Sequence, residues 1–235
     1  ERIEDFHRLL LYIIVAVSLF VLALLVWIML RYNKRANPVP SKTAHNAVIE
    51  VVWTIVPVII LVIIAIPSFK LLYYEAAIPT PDLQIKAIGK QWFWSYEYPA
   101  ANFTYDSLGL SDADAAKAHK PRLLGVDNAI YVPVNKVVEI TTTGADVIHS
   151  WAIPAFGVKM DAVPGRLNHT WFQATKEGVY YGECSELCGA RHAFMPIEVH
   201  VVSQAEYDAW LAGAKKKFAA IVPQTNVAQL ANKDE

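Results

Sequence analysis

Two uncharged apolar runs constrain this chain more than any other feature. Leu9 to Leu30 is a stretch of 22 residues without a charge, and Val51 to Phe69 is a second of 19. An apolar helix needs about 20 residues to cross a hydrocarbon core, so either run can span a bilayer. A buried helix of a soluble protein is rarely that long. Pro57 and Pro67 interrupt the second run, which a membrane helix tolerates because packed neighbours satisfy the freed carbonyls. We expect a transmembrane hairpin over residues 1–74, with helices over 7–31 and 47–74. Trp27, Tyr32, Tyr73 and Tyr74 stand near the ends of the runs, where aromatic side chains favour the interface.

The segment between the runs holds Arg31, Lys34, Arg35 and Lys42, with no acid before Glu50. Short basic loops remain cytoplasmic, so the region beyond residue 75 is expected on the exported side of the membrane. The chain is 54% hydrophobic and 18% charged, with a net charge of -1. The apolar excess over a soluble domain sits in the first third, and the charge balance suggests no nucleic-acid role. The start at Glu1, without a basic lead-in, is expected of a processed or trimmed terminus.

From Asp82 the pattern changes to short runs of period two. Leu83–Ile88, Lys136–Ile140, Gly178–Tyr181 and Ile197–Val201 alternate, and Gly89, Pro99, Gly125, Asp127-Asn128, Gly144 and Pro164-Gly165 punctuate them. Many short strands between turn residues predict a β-sandwich or barrel. Ser111 to Pro121 is Ala-rich and charged, and reads as a surface insertion with a helical turn. Ser203 and Glu206 have capping-box spacing ahead of a helix whose apolar face is Tyr207, Trp210 and Leu211. Lys215, Lys216 and Lys217 close it, as the helix dipole favours, and the tail after Val222 is expected to be loosely ordered.

The chemistry is concentrated in Cys184-Ser185-Glu186-Leu187-Cys188-Gly189-Ala190-Arg191-His192-Ala193-Phe194-Met195-Pro196. Two thiols, an imidazole and a thioether fall within twelve positions, and His149 supplies a second imidazole from a separate segment. Soft sulfur donors with imidazole select copper. The two cysteines could instead form a disulfide in an exported domain. With His149 and His192 they could hold structural zinc, leaving Met195 without a role. A mononuclear blue-copper site would leave one cysteine unused. Two bridging thiolates holding two coppers use every residue.

The C-x-E-x-C-x₃-H-x₂-M-P run with its upstream His resembles the binuclear copper (CuA) motif of the cytochrome c oxidase subunit II family. The resemblance extends to Gln91-Trp92-Phe93-Trp94-Ser95-Tyr96-Glu97-Tyr98, Asp146–Trp151, Asp161–Arg166 and Glu50–Pro57. Lys90 and Phe93 depart from mitochondrial members, which carry His and Tyr there. The resemblance is to bacterial members of the α-proteobacterial or mitochondrial-like type. It implies a cupredoxin-like β-barrel after the membrane hairpin, over residues 75–235, standing in the periplasm on the bacterial inner membrane. It implies that Cys184 and Cys188 bridge two coppers, that His149 and His192 bind one each, and that Met195 and the Glu186 carbonyl complete the set. The Glu186 carboxylate would reach a magnesium or manganese ion shared with the haem-containing catalytic subunit. Trp92 would receive electrons from cytochrome c, and Glu50 would admit protons to the large subunit.

Alternation along the aromatic run would send Trp92 and Trp94 to one side, with Trp94 in the core. Residues 75 to 213 hold 16 acids against 10 Lys or Arg, a balance that suits a basic cytochrome c. Asp127, Asp146 and Glu97 are the expected docking acids. Rival readings are a quinol oxidase subunit lacking copper, a nitrous oxide reductase domain and a membrane-tethered copper carrier. The cysteines and Met195 oppose the first, the membrane hairpin the second, and the run around Trp92 with Glu50 the third.

Overall fold

Asn46 fixes the start of the second apolar helix. Its Oδ1 accepts the N–H groups of Val48 and Ile49 at 3.1 and 3.2 Å, while the Glu50 carboxylate accepts the Asn46 N–H at 3.2 Å. Reciprocal capping of this kind satisfies donors that a helix start leaves orphaned. In the computed structural model, which describes residues 2–218, helix α1 spans Arg2–Arg31 and α2 spans Ala47–Ala76. The first helix begins ahead of its apolar run because Glu4 and Asp5 occupy its first turn, where the dipole favours acids. The second passes through Pro57 and Pro67 unbroken. The Arg2 guanidinium lies 3.9 Å over the Tyr74 ring, so the two helices run antiparallel. No side chain of either helix is buried. Apolar surface of that extent is stable only against lipid, so the hairpin anchors the chain in a membrane.

The chain divides between Ala77 and Ile78. The second unit contains β1 (Leu83–Lys90), β2 (Phe93–Tyr98), β3 (Phe103–Ser107), α3 (Asp112–Lys117), β4 (Ile130–Pro133) and β5 (Val137–Gly144). It continues with β6 (His149–Ile153), β7 (Val158–Ala162), β8 (Asn168–Gln173), β9 (Gly178–Cys184), β10 (Pro196–Val202) and α4 (Gln204–Phe218). One sheet has the order β3-β2-β1-β5-β8 and the other β4-β10-β9-β6-β7. The pairs β1–β5 and β10–β4 are parallel and the rest antiparallel, which gives a cupredoxin-like sandwich. Trp94, Tyr96, Tyr98 and Ile140 from the first sheet meet Trp151, Ile153, Ile197 and Val199 from the second in one buried core.

Strand β6 has all five residues buried. It therefore lacks the alternation that marks a half-exposed strand, and pattern reading passes over it. The insertion holds α3, whose first turn is capped by Ser111. In α4 the capping box forms as expected: Ser203 Oγ accepts the Glu206 N–H, and the Glu206 carboxylate accepts the Ser203 N–H at 3.1 Å. Trp210 stacks on Tyr131 at 4.8 Å and Phe218 on Tyr105 at 4.7 Å. The helix thereby covers the edge strands β3 and β4, which would otherwise offer unpaired backbone to other chains. The tail expected to be loose after Val222 lies outside the described residues.

Candidate metal centre

Strand pairing builds the site before any loop contributes. Trp151 on β6 is in register with Cys184 on β9, which sets His149 beside the Cys184 thiol at the end of the sheet. Glu183 on β9 faces Pro196 on β10, so Cys184 and Met195 close the base of one connecting loop. Inside that loop lie Cys188 and His192. The contiguous motif and the distant His149 are thus brought to one end of the sandwich.

The donor atoms lie within a few ångströms of each other, gathered around a sulfur pair. Cys184 Sγ and Cys188 Sγ are 3.8 Å apart, and both cysteines are free and buried. On the Cys184 side are His149 Nδ1 at 3.9 Å and the Glu186 carbonyl oxygen at 3.4 Å. On the Cys188 side are His192 Nδ1 at 3.5 Å and Met195 Sδ at 3.6 Å. Metal bonds of about 2.3 Å to sulfur and about 2.0 Å to nitrogen at tetrahedral angles separate neighbouring donors by roughly 3.5–3.8 Å. The spacings suit donors that share a tetrahedral ion, and the His149, Cys184 and Cys188 donors all lie within 4.8 Å of one another. The donor set, two thiols with two imidazoles and a thioether, suits copper.

Burial pushes the Cys184 thiol up, but hydrogen bonding with His149 and with the backbone of Glu186 and Ser150 outweighs it and leaves it below the usual thiol value. Cys188 is raised, by burial first and by the charge on Cys184 second. Two thiolates this close repel one another until a cation lies between them. His149 is fully buried, and burial alone would favour its neutral form; Cys184 and Asp146 on either side of the ring reverse that and raise it.

The surroundings place the remaining expected residues. Trp92 is half-buried and donates its indole N–H to the Cys188 carbonyl at 3.2 Å. It belongs to the turn between β1 and β2, so strand alternation does not govern it as expected. Trp94, fully buried, donates to the Met195 carbonyl at 3.3 Å. The Glu186 side chain is exposed while its carbonyl faces Cys184. Glu50 belongs to the separate helical unit, where it caps α2.

Asp146 is exposed, as expected of a surface acid, and it also serves the site: its carboxylate accepts from Gln91 N–H at 2.7 Å and Val147 N–H at 2.7 Å, and meets His149 Nε2 at 2.8 Å. Glu97 pairs with Lys86 at 3.5 Å, and Asp127 accepts the Leu108 N–H at 2.7 Å. Sequence reading missed Gln91 and Gly89 as site residues. A Cβ on Gly89 would fall 2.7 Å from the His149 ring, so β1 must carry a glycine where the imidazole lies on it.

The chain matches two family models. Cytochrome C oxidase subunit II, transmembrane domain, covers residues 1–71, and Cytochrome C oxidase subunit II, periplasmic domain, covers residues 83–202. The probable cytochrome c oxidase subunit 2 of Rickettsia conorii is 52% identical across 92% of this chain and 69% of its own length. Cytochrome c oxidase subunit 2 of Cereibacter sphaeroides is 42% identical across 92% of this chain and 78% of its own. Among solved structures, the periplasmic domain of subunit II of cytochrome oxidase of Bradyrhizobium japonicum is 58% identical, with a TM-score of 0.57, covering 60% of this chain and 99% of that one.

Proposed function

This chain belongs to the cytochrome c oxidase subunit II family, and from that premise we propose that it takes electrons from reduced cytochrome c and delivers them to haem in the catalytic subunit. Family membership makes it the electron-input subunit of an oxygen-reducing oxidoreductase complex, membrane-anchored and carrying a C-terminal soluble domain. We place the membrane as the bacterial inner membrane, with the soluble domain in the periplasm.

Cys184 and Cys188 would hold two copper ions in this reading, with His149 and the Glu186 carbonyl serving one and His192 and Met195 the other. A copper pair held there would supply a one-electron carrier. The chain's own work is to hold the donors in place, to keep the site dry and to steer the donor protein. Trp94 and Asp146 fix the ligand segments from behind, and Trp92 offers a half-buried indole above Cys188 as the point where electrons arrive. The Glu186 carboxylate, exposed and uncommitted, suits magnesium or manganese at the junction with the catalytic subunit, since both ions take hard oxygen ligands. Glu50 admits protons destined for the large subunit, and the excess of acids on the soluble domain draws in a basic cytochrome c.

The observation that carries the reading is the gathering of two imidazoles, a thioether and a carbonyl around one buried sulfur pair, more donors than one tetrahedral ion takes. Elemental analysis of the metal-reconstituted chain is expected to find two coppers per chain, and Cys184→Ser should abolish the mixed-valence electron-spin signal. One copper per chain, or zinc taken up in preference, would overturn it.

A further inference from the structure

The turn Gln91-Trp92 sends two donors to one acceptor. Gln91 Nε2 lies 2.8 Å from the Cys188 carbonyl oxygen and Trp92 Nε1 lies 3.2 Å from it. A carbonyl oxygen has two lone pairs, so this one is saturated by the turn. The next residue, Gly189, makes room for both. Its φ is +120°, and a Cβ there would sit 3.0 Å from Trp92 Cζ2 and 3.1 Å from Gln91 Nε2. Gln91 also reaches the other ligand-bearing segment. Its backbone N–H donates to Asp146 Oδ2 at 2.7 Å, and Asp146 Oδ1 meets His149 Nε2 at 2.8 Å. One residue therefore touches the Cys184–Met195 loop with its side chain and the His149 segment through its backbone, and it shares an acceptor with the indole beside it. The hairpin does not depend on that side chain to close, because Lys90 and Phe93 pair across it.

We propose that Gln91 is a positioning residue, which fixes the Trp92 indole over Cys188 and polarises the Cys188 peptide. The inference rests on the electron-input reading of Trp92. Two N–H dipoles aimed at the peptide of a thiolate ligand stabilise the electron-rich state of the site, as hydrogen bonds around such ligands generally do. Without the amide, the carbonyl that anchors the indole loses its second donor, and the site loses one dipole.

The test uses the full-length chain in its purified oxidase complex. Gln91→Met keeps the side-chain length and the backbone N–H but removes the donor. Gln91→Glu replaces the donor with an acceptor and acts further in the same direction. Both variants are expected to keep two coppers per chain and to bind cytochrome c within about twofold of wild type. Single-turnover transfer from bound cytochrome c should slow by about tenfold, as small misplacements of a reacting partner do. The reduction potential of the copper centre should fall in the order wild type, Met, Glu. Wild-type rate and potential in both variants would overturn the proposal, and so would loss of copper in both. Trp92→Phe is measured in parallel. If it transfers at the wild-type rate, the electron-input reading of Trp92 fails. If it is slow while both Gln91 variants behave as wild type, the positioning role alone fails.

Discussion

Asp146 Oδ1 stands 2.8 Å from Nε2 of His149, whose Nδ1 faces the Cys184 thiol on the other side of the ring. A carboxylate behind a metal-binding imidazole fixes its tautomer and orientation and raises its basicity. Two backbone N–H groups hold Asp146 in turn, so the whole assembly is set before metal arrives.

Asp146→Ala is therefore expected to weaken copper affinity about 10- to 100-fold. Competition with a chelator measures this. Full copper affinity in the variant would mean that Asp146 acts at the surface alone and not on the ligand behind it.

Gly89→Ala would drive a methyl to 2.7 Å from the ring carbons of His149. Overpacking of this kind costs about 1–3 kcal/mol. We expect a lower Tm together with an altered copper hyperfine pattern, because the atom displaced is on a proposed ligand. An unchanged electron-spin spectrum would mean that the strand gives way instead of the imidazole.

Glu198 supplies a pH dependence. Its side chain is 1% exposed and accepts from Lys120 Nζ at 3.0 Å and Val126 N–H at 3.0 Å, with His200 Nε2 at 2.7 Å. Burial alone would raise its pKa; His200, Val126 and Lys120 outweigh burial and hold it below the usual carboxylate range. A depressed folded pKa stabilises above the unfolded value, about 4.3, and that contribution disappears as pH falls through the folded value. Glu198→Gln should cost about 3 kcal/mol at pH 7, as breaking a buried pair does. Denaturant titrations at a series of pH values should find the variant and wild type converging below about pH 4. A constant difference down to pH 3 would contradict the linkage.

Glu186→Gln tests the second metal. Copper content should be unchanged, since only the Glu186 carbonyl faces Cys184. Manganese bound at the junction with the catalytic subunit should weaken, read from its electron-spin resonance in the complex. An unaltered manganese signal would remove Glu186 from that site.

Glu50 caps α2 through Oε1, so Glu50→Gln keeps an acceptor for the cap and removes only the titratable group. If Glu50 admits protons, haem reduction at the oxygen site slows while copper reduction stays fast. Equal effects on both steps would point to the helix start instead.

Much of this protein is legible along the chain because the relevant signals are local. Two runs without charge demand lipid, whatever they pack against. The segment from Cys184 to Met195 holds two thiols, an imidazole and a thioether within one loop's length, so its affinity for soft metals follows from composition. Alternation marks β1, β5, β9 and β10, and the capping box of Ser203 and Glu206 marks α4. Strand β6 escaped because burial on both faces erases the period of two.

Residue types alone therefore determined a membrane hairpin, a β-rich domain and a soft-metal loop. Only the tertiary structure decided that the donors meet, because His149 lies 35 residues from Cys184 in sequence and reaches it through the β6–β9 register. The same holds for Asp146, Gln91 and Gly89. A surface acid, a turn glutamine and a strand glycine carry no local mark of a metal site. Their roles arise from contacts that form when two sheets and three loops close on one point.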